Sequence, residues 1–202
     1  NKLSSKGEIK WTQVLTQNHA INDLEIVSDQ LYAVGTQEGP RKGIYKSLNT
    51  ETGKINWQKE YESSISGFTD IESDGSSLYL GTSSFGMGKA AGRGARVVKV
   101  DLDGTEEWFS KQTVGNWSAD LRSTIFGNQL LTAGTTALDK WGNDYSYRVV
   151  SRSLDTGDIL WDKHWGDSDD QRIDDIISYG GNVYAIGSDY ENLDHSTQSS
   201  GR

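Results

Sequence analysis

The chain of 202 residues sets 29 Asp plus Glu against 20 Lys plus Arg, and its formal charge of −9 repels phosphate backbones, so nucleic acid is not an expected partner. Cysteine is absent, which excludes a disulfide framework and a thiolate metal site and leaves the compartment undecided. Apolar runs such as LYAVG (31–35) and TIFG (124–127) fall far short of the roughly 20 residues that carry a helix across a bilayer, so no membrane insertion is expected.

The first residue is Asn1 rather than Met, with no basic n-region or apolar h-region behind it, which is the expectation for a processed, excised or engineered chain whose export signal is gone. GEIKW (7–11) follows almost at once, and the same glycine-x-x-x-tryptophan pattern returns as GKINW (53–57), GTEEW (104–108) and GDILW (157–161). The four glycines are 46, 51 and 53 residues apart, a period that announces a repeat architecture. Glycine suits the φ > 0 position of a tight turn, and each Trp falls in the strand that follows.

Asp23-Leu24 then opens a strand, DLEIVS (23–28), which the turn SDQ joins to LYAVG (31–35); GIYKSL (43–48) and KINWQKE (54–60) complete a set of four, A to D. The second set begins at Asp70-Ile71 and turns through SDGSS into LYLGTS (78–83). The third begins at Asp120-Leu121 and turns at GN into LLTAGTT (130–136). The fourth begins at Asp175-Ile176, turns at GG into VYAIGSD (183–189), and supplies strands A and B alone. No amphipathic 3.6-residue period is sustained, so four antiparallel strands per repeat predict an all-β fold of β-propeller blades rather than a helical solenoid, with a β-sandwich as the rival.

The chain begins with strands C and D and ends with A and B. Joined end to end, Gly187 and Gly7 are 22 residues apart, against 18, 23 and 23 inside the intact repeats. The expectation is one propeller domain over 1–202 with four blade equivalents: 16–62, 63–112, 113–164, and 165–202 completed by 1–15. The N-terminal strands would close the ring and remove exposed edges. Half of an eight-bladed ring, or a fragment of a longer array, are the alternatives, and the oligomeric state stays open.

The stretch ILWDKHWGDSDDQRIDDIISYGGNVYAIGSD (159–189) resembles the bacterial β-propeller repeat family, and SLNTETGKINW (47–57) is similar to the tryptophan-docking motif of quinoprotein-type propellers, although the other copies are shorter before the glycine. The resemblance spans all four repeats. It implies extracytoplasmic or cell-surface propellers of mostly unassigned activity and supplies no catalytic residues.

Short A–B and C–D turns fall on one face of such blades and the long B–C stretches and D–A links on the other, which makes the long-loop face the place to seek binding. Trp11, Trp57, Trp108 and Trp161 read as fillers between blades, and Trp165, four residues after Trp161 where Leu15 and Tyr61 stand elsewhere, reads as structural too. Trp117 and Trp141 have no aromatic counterparts. Beside Asn116, Asn143 and Asp144 they are candidates for stacking on a sugar while amides and a carboxylate meet its hydroxyls. Lys89, Arg93 and Arg96 in FGMGKAAGRGAR (85–96) are a weaker candidate for an anion, without the ending of a P-loop. Asp23, Asp70, Asp120 and Asp175 form an expected acidic ring at the channel mouth, either capping their own turns or holding one Ca²⁺. His19, His164 and His195 stand in different repeats and give no nucleophile–base pair.

The function expected is a non-enzymatic, secreted or surface-exposed binding propeller that takes a carbohydrate in lectin fashion, or a protein, through its long-loop face. A polysaccharide lyase or glycosidase and a pure scaffold are the rivals. No cofactor beyond the possible Ca²⁺ is expected.

Overall fold

The computed structural model describes residues 1–14, 18–39, 42–61, 65, 67–82, 96–111, 121–137, 145–166 and 170–190. These contain sixteen strands and no helix. Three complete blades follow one another, each an antiparallel sheet in chain order. The first blade holds β3 (His19–Val27), β4 (Gln30–Gln37), β5 (Lys42–Asn49) and β6 (Ile55–Tyr61). The second holds β7 (Phe68–Ser73), β8 (Ser77–Thr82), β9 (Arg96–Asp101) and β10 (Glu106–Lys111). The third holds β11 (Arg122–Phe126), β12 (Gln129–Ala137), β13 (Tyr145–Ser153) and β14 (Ile159–Trp165).

Before these stand β1 (Lys2–Leu3) and β2 (Ile9–Trp11), and after them β15 (Asp170–Tyr179) and β16 (Asn182–Tyr190). Among the described residues β1–β2 and β15–β16 are separate two-stranded sheets on either side of the three blades, so the expected closure is not shown. Leu24 and Ile26 on β3 and Tyr184 and Ile186 on β16 are exposed.

The inner strands are buried on both faces, β5 from Gly43 to Leu48 and β8 throughout, whereas the outer strand β6 alternates half-buried and exposed residues, and the core lies between blades. Val34, Tyr45, Ile65, Phe68, Ile71, Leu80 and Val98 pack together across the first and second blades. Tyr79, Val97, Leu121, Leu130 and Leu154 do so across the second and third, and Leu131, Val149, Ile173 and Ile176 join the third to β15.

The repeated glycine and tryptophan supply the lock in each seam. Gly53, Gly104 and Gly157 have φ of +69°, +75° and +74°, conformations that L side chains rarely adopt. Each is roofed by the Trp of the preceding unit: a Cβ on Gly53 would lie 2.5 Å from Trp11, on Gly104 2.9 Å from Trp57, and on Gly157 2.7 Å from Trp108. The indole Nε1 of Trp11 donates to the Thr50 carbonyl at 2.9 Å and that of Trp108 to the Leu154 carbonyl at 3.3 Å. Tyr32 and Tyr79 donate to carbonyls of the following blade, Leu102 at 3.3 Å and Leu154 at 3.4 Å. Tyr32 leans on Trp57 and Tyr79 on Trp108, with ring centroids 6.1 and 6.0 Å apart.

Because successive strands reverse direction, the connections sort by face. The short ones, 28–29, 74–76, 127–128 and 180–181 with 50–54, 102–105 and 154–158, lie at one end of the blades. At the other end β4, β8 and β12 finish and β5, β9 and β13 begin.

Candidate functional site

Hairpin register decides where the strand-A aspartates stand. Asp23, Asp70 and Asp175 lie opposite Val34, Gly81 and Ile186, each just after a bulge and each at the same distance from its hairpin turn. In the third blade that position belongs to Arg122, opposite Ala133. Asp120 is two residues earlier and lies outside the described residues. Counting back from the turn at Gly127-Asn128 finds the arginine at this register.

These side chains bridge blades. Asp23 accepts from the Leu24 N–H at 2.8 Å and, in the next blade, from the Ile71 N–H at 3.0 Å. Asp70 accepts from the Ser123 hydroxyl of the third blade. Arg122 works in the opposite sense, its Nη1 donating back to the Thr69 carbonyl of the second blade at 3.2 Å. Asp175 accepts from the Ile176 N–H at 2.9 Å.

Glu25 and Glu72, two residues on and therefore on the same strand face, join the acidic surround. The Asp-x-Glu spacing of the first two blades was the signal for them. Burial pushes the Asp70 carboxyl up to about 7, against the hydrogen bond from Ser123. Burial, helped by Asp70, Glu25 and Asp23, pushes Glu72 up to about 8. Among the described residues, no group of three or more His, Asp or Glu is arranged to hold a metal ion.

Trp117, Asn116, Trp141, Asn143, Asp144, Lys89 and Arg93 all lie outside the described residues. Arg96 opens β9, its N–H donating to the Thr82 hydroxyl at 3.0 Å. The structure adds a site that the sequence reading passed over. A pocket of about 200 Å³ opens between the third blade and β15–β16, lined by Tyr147, Trp165, Ile173, Ala185, Ile186 and Gly187. Tyr147 and Trp165 are cross-strand partners near the long-connection end of the blade, with ring centroids 5.8 Å apart and planes 34° from parallel. Trp165 is 47% exposed, so it is a surface aromatic rather than a core filler.

An exchange of sizes accompanies the pocket. In the first seam Gly43 faces Tyr61 across the sheet and the Phe68 ring lies over it. In the third seam Tyr147 takes the place of Gly43 and Ile173 the place of Phe68. Hydrogen bonds tie the lining to its neighbours: Tyr147 donates its hydroxyl to the Ser188 carbonyl at 3.2 Å, and the Ser188 hydroxyl donates to Asp174 at 3.0 Å. Gln171 donates its amide to Asp189 at 3.2 Å. Asp144 directly precedes Tyr145, the first residue of β13, two residues before Tyr147.

Solved structures share the arrangement. The chain is similar to the quinohemoprotein alcohol dehydrogenase of Comamonas testosteroni, with a TM-score of 0.61 at 13% identity over 90% of this chain and 35% of that one. It is similar to the quinohemoprotein alcohol dehydrogenase ADHIIG of Pseudomonas putida HK5, with a TM-score of 0.52 at 14% identity over 81% and 30%. For the Dos1 propeller the TM-score is 0.50 at 13% identity over 78% and 39%. The fold is a β-propeller. No protein-family model matches this propeller, and no curated protein does. It spans about a third of the length of the structures it resembles. Likeness at this identity is likeness of fold.

Proposed function

We propose that this propeller is a non-enzymatic, extracytoplasmic binding module that takes a carbohydrate at the long-connection face, in the seam between the third blade and β15–β16. The observation that carries the reading is the aromatic floor of the pocket, where Tyr147 and a half-exposed Trp165 stand beside Ile173. A sugar ring lays its C–H face on indole, while its hydroxyls exchange hydrogen bonds with carboxylates, for which the exposed Asp174 and Asp189, close in sequence to the lining residues Ile173 and Gly187, are the candidates. Such a site is shallow and wet, and selects by direction more than by depth.

A broad glycan array tests this, followed by titration of any hit against a Trp165→Ala variant. Loss of an aromatic anchor lowers affinity by roughly 1–3 kcal/mol, about 5- to 150-fold. Turnover of a bound glycan would move the propeller into the lyase or glycosidase class. A protein ligand is the second reading, favoured by the apolar wall of Ile173, Ala185 and Ile186. Absence of glycan binding, with selection of apolar-anchored peptides that Trp165→Ala abolishes, would establish it.

A further inference from the structure

We propose that the seam between the second and third blades holds a small monovalent anion, of the size of chloride, on the Nε and Nη2 edge of Arg152. This seam has a complete four-stranded blade on either side, β7–β10 and β11–β14. Arg152 is wholly buried in it, at 0% exposure. In the sheet it stands opposite Leu130, where the first blade sets Leu48 opposite Leu31 and the second sets Val100 opposite Leu78. A position that is apolar in two blades thus carries a cation in the third.

The guanidinium is only half used by the protein. Its Nη1 donates to the hydroxyl of Ser110, on β10 of the second blade, and to the Gly157 carbonyl at 3.3 Å. Nε and Nη2 are buried and have no protein partner. Those two nitrogens form one edge of the planar fork, the edge whose parallel N–H groups take both oxygens of a carboxylate. Arg148, four residues earlier on the same strand and also buried, shows that edge filled: its Nε donates to Asp162 Oδ1 at 2.9 Å and its Nη2 to Oδ2. Arg152 aims the same edge at no protein atom.

Charge in the seam does not balance. Arg148 is matched by Asp162, and Lys99 on β9 by Glu107 at 2.9 Å. Arg152 has no such carboxylate, and its surroundings are apolar. Leu130, opposite it, belongs to one buried cluster with Tyr79, Val97, Leu121 and Leu154, against which Trp108 packs. Burial, with Arg148 adding to it and Asp162 opposing, lowers the Arg152 pKa to about 10, so the group keeps its proton at neutral pH. A hydroxyl and a carbonyl offer it dipoles but no countercharge.

One negative charge restores neutrality, which sets the valence of the ligand. Enclosure sets its size, because a larger oxyanion brings further oxygens that need donors of their own. The Ser110 hydroxyl, which accepts from Nη1, keeps its own proton to donate beside the fork. Bound there, the anion ties the third blade to the second, since the guanidinium it neutralises is itself hydrogen-bonded to β10. Without the anion Arg152 adds little to the seam, as a buried charge alone does.

The test follows melting across a chloride series at constant ionic strength, the balance made up with gluconate, an anion too bulky for an enclosed site. Tm of the parent chain rises by about 3–5 °C for each tenfold increase in chloride above the Kd of the site, and Arg152→Leu removes that dependence. Arg152→Lys, which keeps a charge but loses the fork, binds chloride roughly tenfold more weakly. A crystal of the parent chain soaked in sodium bromide gives an anomalous peak beside Nε and Nη2 of Arg152, a readout that needs no variant to fold. A parent Tm indifferent to chloride, or a response that survives Arg152→Leu, overturns the proposal. So does a bromide-soaked crystal with no peak at Arg152, in which case the fork meets water alone.

Discussion

Ile71 and Leu24 occupy one position, the residue after the strand-A aspartate, and they meet opposite surroundings. Ile71 is sealed against the first blade, and Leu24 faces nothing among the described residues. Val34 and Ile186 repeat the contrast on the other side of a seam, as do the roofed Gly104 and the bare Gly7. Burial here is a property of the neighbour and not of the residue. The same side chains that make the core of this propeller make adhesive surfaces wherever a blade lacks its successor.

That contrast can be broken or sharpened by mutation. Ile71→Ala should cost about 2–5 kcal/mol in denaturant unfolding, the range for emptying a packed core site, whereas Leu24→Ala should stay within about 0.5 kcal/mol. Gly104→Val meets Trp57 as well as an unfavourable φ, and should lose about 2–5 kcal/mol; Gly7→Val carries the backbone strain alone, about 1–2 kcal/mol. Equal costs at the two glycines would show that the turn, and not the tryptophan, holds the seam.

The carboxylates of the sealed seam respond to pH. The folded-state pKa of Asp70, about 7, and that of Glu72, about 8, are above those of the unfolded chain, so their contribution is fully present below about pH 4 and is lost as pH rises through 7 to 8. Asp74 runs the other way. Although burial opposes it, the N–H groups of Ser76 and Ser77 and the Tyr79 hydroxyl hold it at about 2, so its contribution is lost only as pH falls from about 4 toward that value. Tm should therefore drop by roughly 3–6 °C between pH 5.5 and pH 9, an effect of about 1–2 kcal/mol, and Glu72→Gln should flatten the drop.

The smallest effect concerns Arg152, fully buried in the third blade where the first two carry Leu48 and Val100. Its Nη1 donates to the Ser110 hydroxyl and to the Gly157 carbonyl, but Nε and Nη2 have no partner, and burial lowers its pKa to about 10. Arg152→Leu should be neutral or stabilise by about 1 kcal/mol, because a buried charge without a carboxylate gains little from its surroundings. A clear loss of stability would mean that the guanidinium organises its seam.

The blades were legible in the chain because their markers are local. A glycine that must turn at positive φ and a tryptophan four residues later need no distant information, and Gly53, Gly104 and Gly157 show both. Arg122 was not legible from letters, since strand register is counted from the turn and the third blade places Asp120 two residues earlier than its counterparts. Tyr147 and Trp165 were missed for another reason. Their pocket is lined by residues that lie far apart in sequence, Ile173 and Ala185 among them, so no single repeat displays it. The count of strands at the two ends was legible as well, but whether ends meet depends on small rotations summed over all seams, which no local motif records. Trp117 and Trp141, on which the ligand reading first rested, lie outside the described residues.

The Trp-on-Gly contact is offset by one unit: Trp57 is seated by Gly104, and Trp108 by Gly157. Each repeat thus carries a plug for its successor and a socket for its predecessor. A gene that copies one repeat gains a complete new seam with no contact to invent, and one that drops a repeat leaves plug and socket still matched. Ring size in such a lineage becomes a question of how many units are strung together and how sharply each turns, while the blade itself is inherited unchanged.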